Sequence, residues 1–222
     1  MSHVMTLKPQ SNKVQLVPLL ASAAIIIAFW NWYFGIVDSN WLLATMMQIE
    51  INAKTLGPEE QAVLESMMSP GFLKMSTLTG SLGGLLLTMV IISAIVTLYS
   101  RFAFPHGQAV SYKQAFNIST MASLISVSLY LLCCLYVLMS PEQKVNLYQV
   151  HFLSLNNLFL SLSPEHRYFS VANSISAETF LFVVSAAGLL NKVSGQPMRQ
   201  CLLLYILPYL AFWGFIFLIA AI

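Results

Sequence analysis

Five stretches of this chain are apolar over the length of a bilayer crossing, at about 15–37, 78–100, 116–139, 173–190 and 201–221. A helix rises about 1.5 Å per residue, so segments of this length match a hydrocarbon core about 30 Å thick. Inside lipid the backbone must satisfy its own hydrogen bonds, which leaves the helix as the form such stretches can take. Composition agrees: 58% of residues are hydrophobic and 8% are charged, against about 25% charged in a soluble domain. The expectation is an all-α polytopic membrane protein, a five-helix bundle in one domain over residues 15–221. The stretch at 173–190 is the shortest of the five.

The charges sort by connection. All eight carboxylates, from Asp38 to Glu178, lie in or beside alternate connections, whereas 1–15, 101–113 and 191–200 carry only Lys, Arg or no charge. Basic residues resist translocation and acidic ones cross readily. Placing Lys8, Lys13, Arg101, Lys113, Lys192 and Arg199 in the cytoplasm puts six of the ten basic residues and no acid on that side. The N-terminus is then inside and the C-terminus outside. Trp30, Trp32, Tyr33 and Trp41 gather at the outer end of the first span, where amphipathic rings favour the interface.

Residues 1–14 read as a cytoplasmic tail. Lys8 and Lys13 before an apolar run resemble a signal peptide, but the run from Val14 to Val37 exceeds the ~7–15 residues of a signal core. It reads as an uncleaved first span. The net charge of +2 and the lack of any basic run give no footprint for nucleic acid. Cys133 and Cys134, adjacent within an apolar run, read as buried small hydrophobes.

Both long outer connections carry structure signals. Ser39-Asn40 has N-cap chemistry, followed by Trp41, Leu42, Thr45, Met46 and Ile49 on one helical stripe. Pro58-Glu59-Glu60 opens a second helix, with proline in the first turn and acids at the positive dipole end. A Pro70-Gly71 break follows, so 39–75 reads as a helical elbow on the outer surface. The outer segment 140–172 contains an apolar stretch, 145–162, interrupted by Asn146, Gln149, His151, Asn156 and Asn157. Those groups make a lipid-exposed crossing costly, and the segment reads as interfacial or partly re-entrant rather than as a sixth span.

Three features are candidate sites. Gly80, Gly83 and Gly84 include a small-xxx-small pair that lets helix backbones approach. The commoner use is packing against a neighbouring span, and the other is association with a partner or a second copy. Ser119, Ser123 and Ser126 share one face of the third span; they either bond within the bundle, the routine use, or line a solvated groove. Glu178, within the fourth span, either serves an ion or proton or sits at headgroup level, paired with Arg167 or a lipid amine. His3, His106, His151 and His166 are scattered, with no metal-ligand spacing, and no cofactor is implied. No phosphate loop or nucleophile elbow occurs, so a non-enzymatic role is expected.

Several short motifs occur in a familiar order. Val110-Ser111-Tyr112-Lys113-Gln114-Ala115-Phe116 resembles the entry to the third span of bacterial Yip1-domain proteins. Pro58-Glu59-Glu60-Gln61, Gly71-Phe72, Ala187-Gly188-Leu189, Asn191-Lys192-Val193-Ser194-Gly195 and Pro208 are similar to other parts of those proteins, and the likeness covers most of 16–221. The acidic Asp-Leu-Tyr-Gly-Pro element of the eukaryotic branch has no counterpart here, so binding of prenylated Rab GTPases is not implied. The resemblance implies a five-span membrane-organising or accessory protein, with membrane lipids and other membrane proteins, ABC-transporter components among them, or itself as partners. The alternative from the residues is a small transporter or lipid-handling protein using the polar face of span three and Glu178.

Overall fold

The computed structural model describes residues 16–54, 57–105 and 108–221; the tail at 1–14 and the side chains of His3 and His106 lie outside the described residues. The described chain is helical, with a single isolated bridge between Ser154 and Ser176 as its only β-type pairing. Its helices are α1 (Val17–Ile36), α2 (Ser39–Lys54), α3 (Pro58–Met67), α4 (Pro70–Ala103), α5 (Tyr112–Ser126), α6 (Tyr130–Met139), α7 (Phe169–Ser174), α8 (Ala177–Ser194) and α9 (Met198–Ala221). Among the described residues, four helices are long and apolar enough to cross a membrane: α1, α4, the run Tyr112–Met139 through α5 and α6, and α9. The protein is a polytopic helical membrane protein. The fifth expected span corresponds to α8, which runs four residues beyond the expected end at 190 and is not among those four.

The boundaries follow local chemistry. The Ser69 hydroxyl accepts from the Phe72 N–H at 3.1 Å, and Pro70 occupies the first turn of α4, where a missing N–H costs no helical bond. The expected break at Pro70-Gly71 therefore lies just upstream, at Met68-Ser69, and the helix that carries the expected second span starts at 70, eight residues before the apolar stretch at 78–100. At 34 residues, α4 is about 51 Å long, well over the hydrocarbon thickness. Between α5 and α6 lies one 3₁₀ turn, Val127–Leu129. Around it Ser123, Ser126 and Ser128 each donate to the carbonyl three residues back, at 2.8, 3.0 and 2.6 Å, a side-chain competition that accompanies tightened helix. α8 ends at Gly195, whose φ of +68° is a left-handed cap suited to glycine.

α5 stands at the centre, packed on α8, α4 and α1, and α9 lies against α8 and α4. Its inward face is small: Ala115, Ser119, Thr120 and Ala122 are fully buried, and so are Ala186 and Ala187 on α8. Small residues allow close helix approach in lipid, so here alanine and serine make the tight contacts. One core cluster joins α4, α5, α8 and α9 through residues such as Val96, Ala122, Phe182 and Tyr205. A second joins α1 to α2, α6 and the following segment through Phe29, Trp30, Tyr33, Leu42, Val137 and Val150.

Trp30 and Tyr33 belong to that second core rather than to an interfacial belt, with 2% and 0% exposure. Their polar atoms find protein partners: Trp30 Nε1 donates to Ser81 Oγ at 3.0 Å, and the Tyr33 hydroxyl donates to the Val145 carbonyl at 2.6 Å. Buried Trp and Tyr need such partners.

α2 carries the expected stripe, with Leu42 and Met46 buried, but its cap is Asp38. The Asp38 carboxylate accepts from the N–H groups of Asn40 and Trp41 at 2.8 and 3.0 Å. The Glu60 carboxylate accepts from the Gly57 N–H at 3.0 Å at the start of α3, which buries none of its residues. The segment 140–176 folds as turns, one π turn at Asn156–Leu160 and α7. Its interrupting polar residues satisfy its own backbone. Asn146 Oδ1 accepts from Tyr148 and Gln149, Asn156 Oδ1 accepts from Leu162, and Asn157 Nδ2 donates to the carbonyls of Tyr148 and His151.

Candidate functional site

Three glycines on α4 form an open face. The side of α4 turned to α1 carries Leu78, Ser81, Leu82 and Leu85; Ser81 takes the Trp30 bond and the leucines pack on the α1 cluster. Helical periodicity then turns Gly80, Gly83 and Gly84 outward. All three are exposed, and a Cβ built on any of them meets nothing within 4 Å. Among the described residues, no neighbouring helix packs on this small-residue face. Along the same helix Leu86, Leu87, Val90 and Leu98 are also exposed, so the glycines form a shallow, flat stretch on an apolar outer surface.

The serine stripe lies inside the bundle. Ser119, Ser123 and Ser126 are 0%, 2% and 8% exposed. Ser123 Oγ lies 3.1 Å from Ser22 Oγ of α1, and Ser93 Oγ of α4 donates to Ser119 Oγ at 3.4 Å. Among the described residues the buried Tyr205 hydroxyl of α9 has no partner at ordinary hydrogen-bond distance, and its neighbour is Ser119. The stripe thus sets hydroxyls of α5 against those of α1 and α4, while Ser123 and Ser126 donate to carbonyls of their own helix.

Glu178 lies in the first turn of α8, where the helix dipole favours an anion. Its Oε1 is 3.5 Å from His151 Nδ1, with side-chain exposures of 24% and 31%. The partner is thus a histidine of the turn-rich segment. Arg167, one of the two partners considered from sequence, lies over the Tyr168 ring at 4.9 Å. The His151 ring sits edge-on to Trp30 and Tyr130, at 6.1 and 6.2 Å between centroids. The pair fastens the segment to α8, beside the pairing of Leu155 N–H with the Ile175 carbonyl at 2.7 Å.

Elsewhere in this segment Lys144 hydrogen-bonds Glu142 and holds its exposed carboxyl below the usual carboxylate range. Between α1 and α6 an apolar groove of about 400 Å³ is walled by Phe29, Trp32, Tyr130 and Leu131. Cys133 is buried, while Cys134 borders that groove. Among the described residues no group of three or more His, Cys, Asp or Glu side chains is placed to hold a metal ion. The glycine face, the serine stripe and Glu178 are separate features rather than one site.

No protein-family model, no curated protein and no solved structure matches this chain.

Proposed function

We propose that this chain is a non-enzymatic, five-crossing membrane protein that works by binding another membrane protein through the glycine face of α4. The observation that carries this reading is the outward turn of Gly80, Gly83 and Gly84, with open space above each. A partner helix can approach the α4 backbone closely there, and such packing is what drives association in lipid. The serine hydroxyls are spent on helix carbonyls and on one another, which favours partner binding over a transport path along α5.

Five crossings are supported by how the connections meet. Gln196, just after α8, donates from its side-chain amide to the side-chain oxygen of Gln108, just before α5. The chain leaves that end through α5 and α6 and comes back to it by Ser194. α8, 18 residues long and so about 27 Å, packs against α5 and supplies the return. We place the end bearing Arg101, Lys113, Lys192 and Arg199 in the cytoplasm of a bacterial cell, by the bias of basic residues. The resemblance to Yip1-domain proteins, carried by Val110–Phe116 and the motifs around it, supports an accessory or membrane-organising role, for which ABC-transporter components are candidate partners.

The test is co-purification from native membranes in mild detergent with a Gly80→Leu/Gly84→Leu variant. Because no described residue outside the local α4 backbone lies within 4 Å of either added Cβ, the variant should keep the parent melting temperature while losing its partner proteins. The same partners in the same yield would rule out the glycine face.

A further inference from the structure

The end of the bundle where the α4–α5 and α8–α9 connections meet carries a cavity, and its chemistry is that of an anion site. The cavity is about 220 Å³ and lies between the start of α5 and the end of α8, lined by Gln108, Ala109, Val110, Gln114, Val193 and Ser194, with Leu190 at its floor. It is held open by specific contacts. Ser100 Oγ accepts from the Val110 N–H at 2.9 Å and the Gln108 and Gln196 side chains join the two connections. Asn191 Nδ2 donates to the Gln196 carbonyl at 2.7 Å.

The polar groups facing this cavity are biased toward donors. The side-chain oxygen of Gln108 accepts from Gln196, and that of Gln114 accepts from the Ser111 N–H at 3.0 Å. With each amide oxygen engaged, the NH₂ group is what either side chain offers a ligand. Two cations adjoin lining residues in sequence, Lys113 beside Gln114 and Lys192 beside Val193; Arg101 and Arg199 belong to the same end, in the last turn of α4 and the first turn of α9, and all four are exposed. Among the described residues this end bears no carboxylate: the acids nearest in sequence are Glu65, Glu142 and Glu178, all before α4, between α6 and α7, or at the far end of α8.

The position of the cavity selects the source of the anion. α4 and the α5–α6 run are both long and apolar enough to span a membrane, so the connection between them lies at the membrane surface. A basic-rimmed pocket between membrane helices at that level meets the phosphates of anionic lipids. We propose that this cavity binds the headgroup of an anionic phospholipid, with the Gln108 and Gln114 side-chain amides donating to the phosphate, the Ser194 hydroxyl being spent on the Leu190 carbonyl, and the four cations of this end supplying its positive field. This site shares no lining residue with the α1–α6 groove and is independent of whichever protein α4 contacts.

Native mass spectrometry of the full-length protein in neutral detergent tests it. Phosphatidylglycerol and phosphatidylcholine with the same acyl chains are added in equal amounts, and inorganic phosphate is added in a separate arm. The expected result is a phosphatidylglycerol preference of roughly tenfold that Lys113→Gln/Lys192→Gln abolishes. Ala109→Trp fills the cavity and leaves every charge in place, and it should abolish the preference too. Equal retention of the two lipids overturns the proposal, as does a preference that survives Ala109→Trp, which would mark a diffuse charge effect. Displacement of phosphatidylglycerol by inorganic phosphate would assign the cavity to a free anion and overturn the lipid assignment.

Discussion

Ser22 and Ser123 show how polar side chains are used in this bundle. Each is buried, they lie 3.1 Å apart between α1 and α5, and each also donates to a carbonyl of its own helix, Ser22 to Pro18 and Ser123 to Thr120. A hydroxyl with a local carbonyl available gains little from a distant partner, because the separated helices would still satisfy it. A double-mutant cycle of Ser22→Ala and Ser123→Ala, read by unfolding in detergent, should therefore give a coupling of about 0.6 kcal/mol. A value above about 1.7 kcal/mol would exceed known pairs of this kind and point to a role beyond packing. The helical spacing of Ser119, Ser123 and Ser126 was readable in sequence; their partners Ser22 and Ser93 were not, because they come from other helices. The same holds for Glu178, whose contact His151 precedes it by a long turn-rich segment. Asp38, by contrast, was available as a cap from sequence and outcompetes Ser39 because a carboxylate accepts two N–H groups at once.

At the level of elements, α4 departs furthest from its expected length. Ser69 and Pro70 start it two turns before the apolar stretch begins, and nothing within interrupts it, so it exceeds the bilayer core by about 20 Å. The excess must tilt or project. The outward position of Phe72 and Met75 beside the exposed α3 suits projection of the first turns. With membrane-impermeant maleimide, Met75→Cys should label in intact membranes and Leu87→Cys should not, both positions being exposed in the folded chain. Labelling of neither would place the whole first half of α4 within lipid. The α5–α6 run shows the opposite effect, a long crossing with a 3₁₀ turn where three serines compete for helix carbonyls. The apolar residues of α3 were expected to face a surface; Val63 and Met67 are exposed at 57% and 63%.

For the molecule as a whole, α8 decides the architecture. It has two charges, Glu178 at its start and Lys192 at its end, and its apolar stretch is the shortest of the five, yet it packs along the central helix. A helix of this kind is secured by its neighbours, here through Ala186, Ala187 and Leu190, each fully buried. If it crosses, the two meeting connections share one face of the membrane and the turn-rich segment lies on the other. Cysteines at Gln108 and Arg199, both exposed, should then label from one side, and a cysteine at Ser163 from the opposite side. Labelling of the Arg199 and Ser163 positions from the same side would leave four crossings.

Hydrophobicity and charge by themselves determined that this chain is a helical, multi-pass membrane protein, roughly where its helices lie and which end of the bundle is basic. These are properties of contiguous residues, and transfer into lipid depends on composition along each segment. Only the tertiary structure decided which way each helix faces. In lipid a helix apolar on all sides has no hydrophobic reason to prefer one face, so the rotation of α4 is set by particular contacts. The Trp30–Ser81 bond and the packing of Leu78, Leu82 and Leu85 on the α1 cluster turn the three glycines outward and leave alanine and serine to close the core.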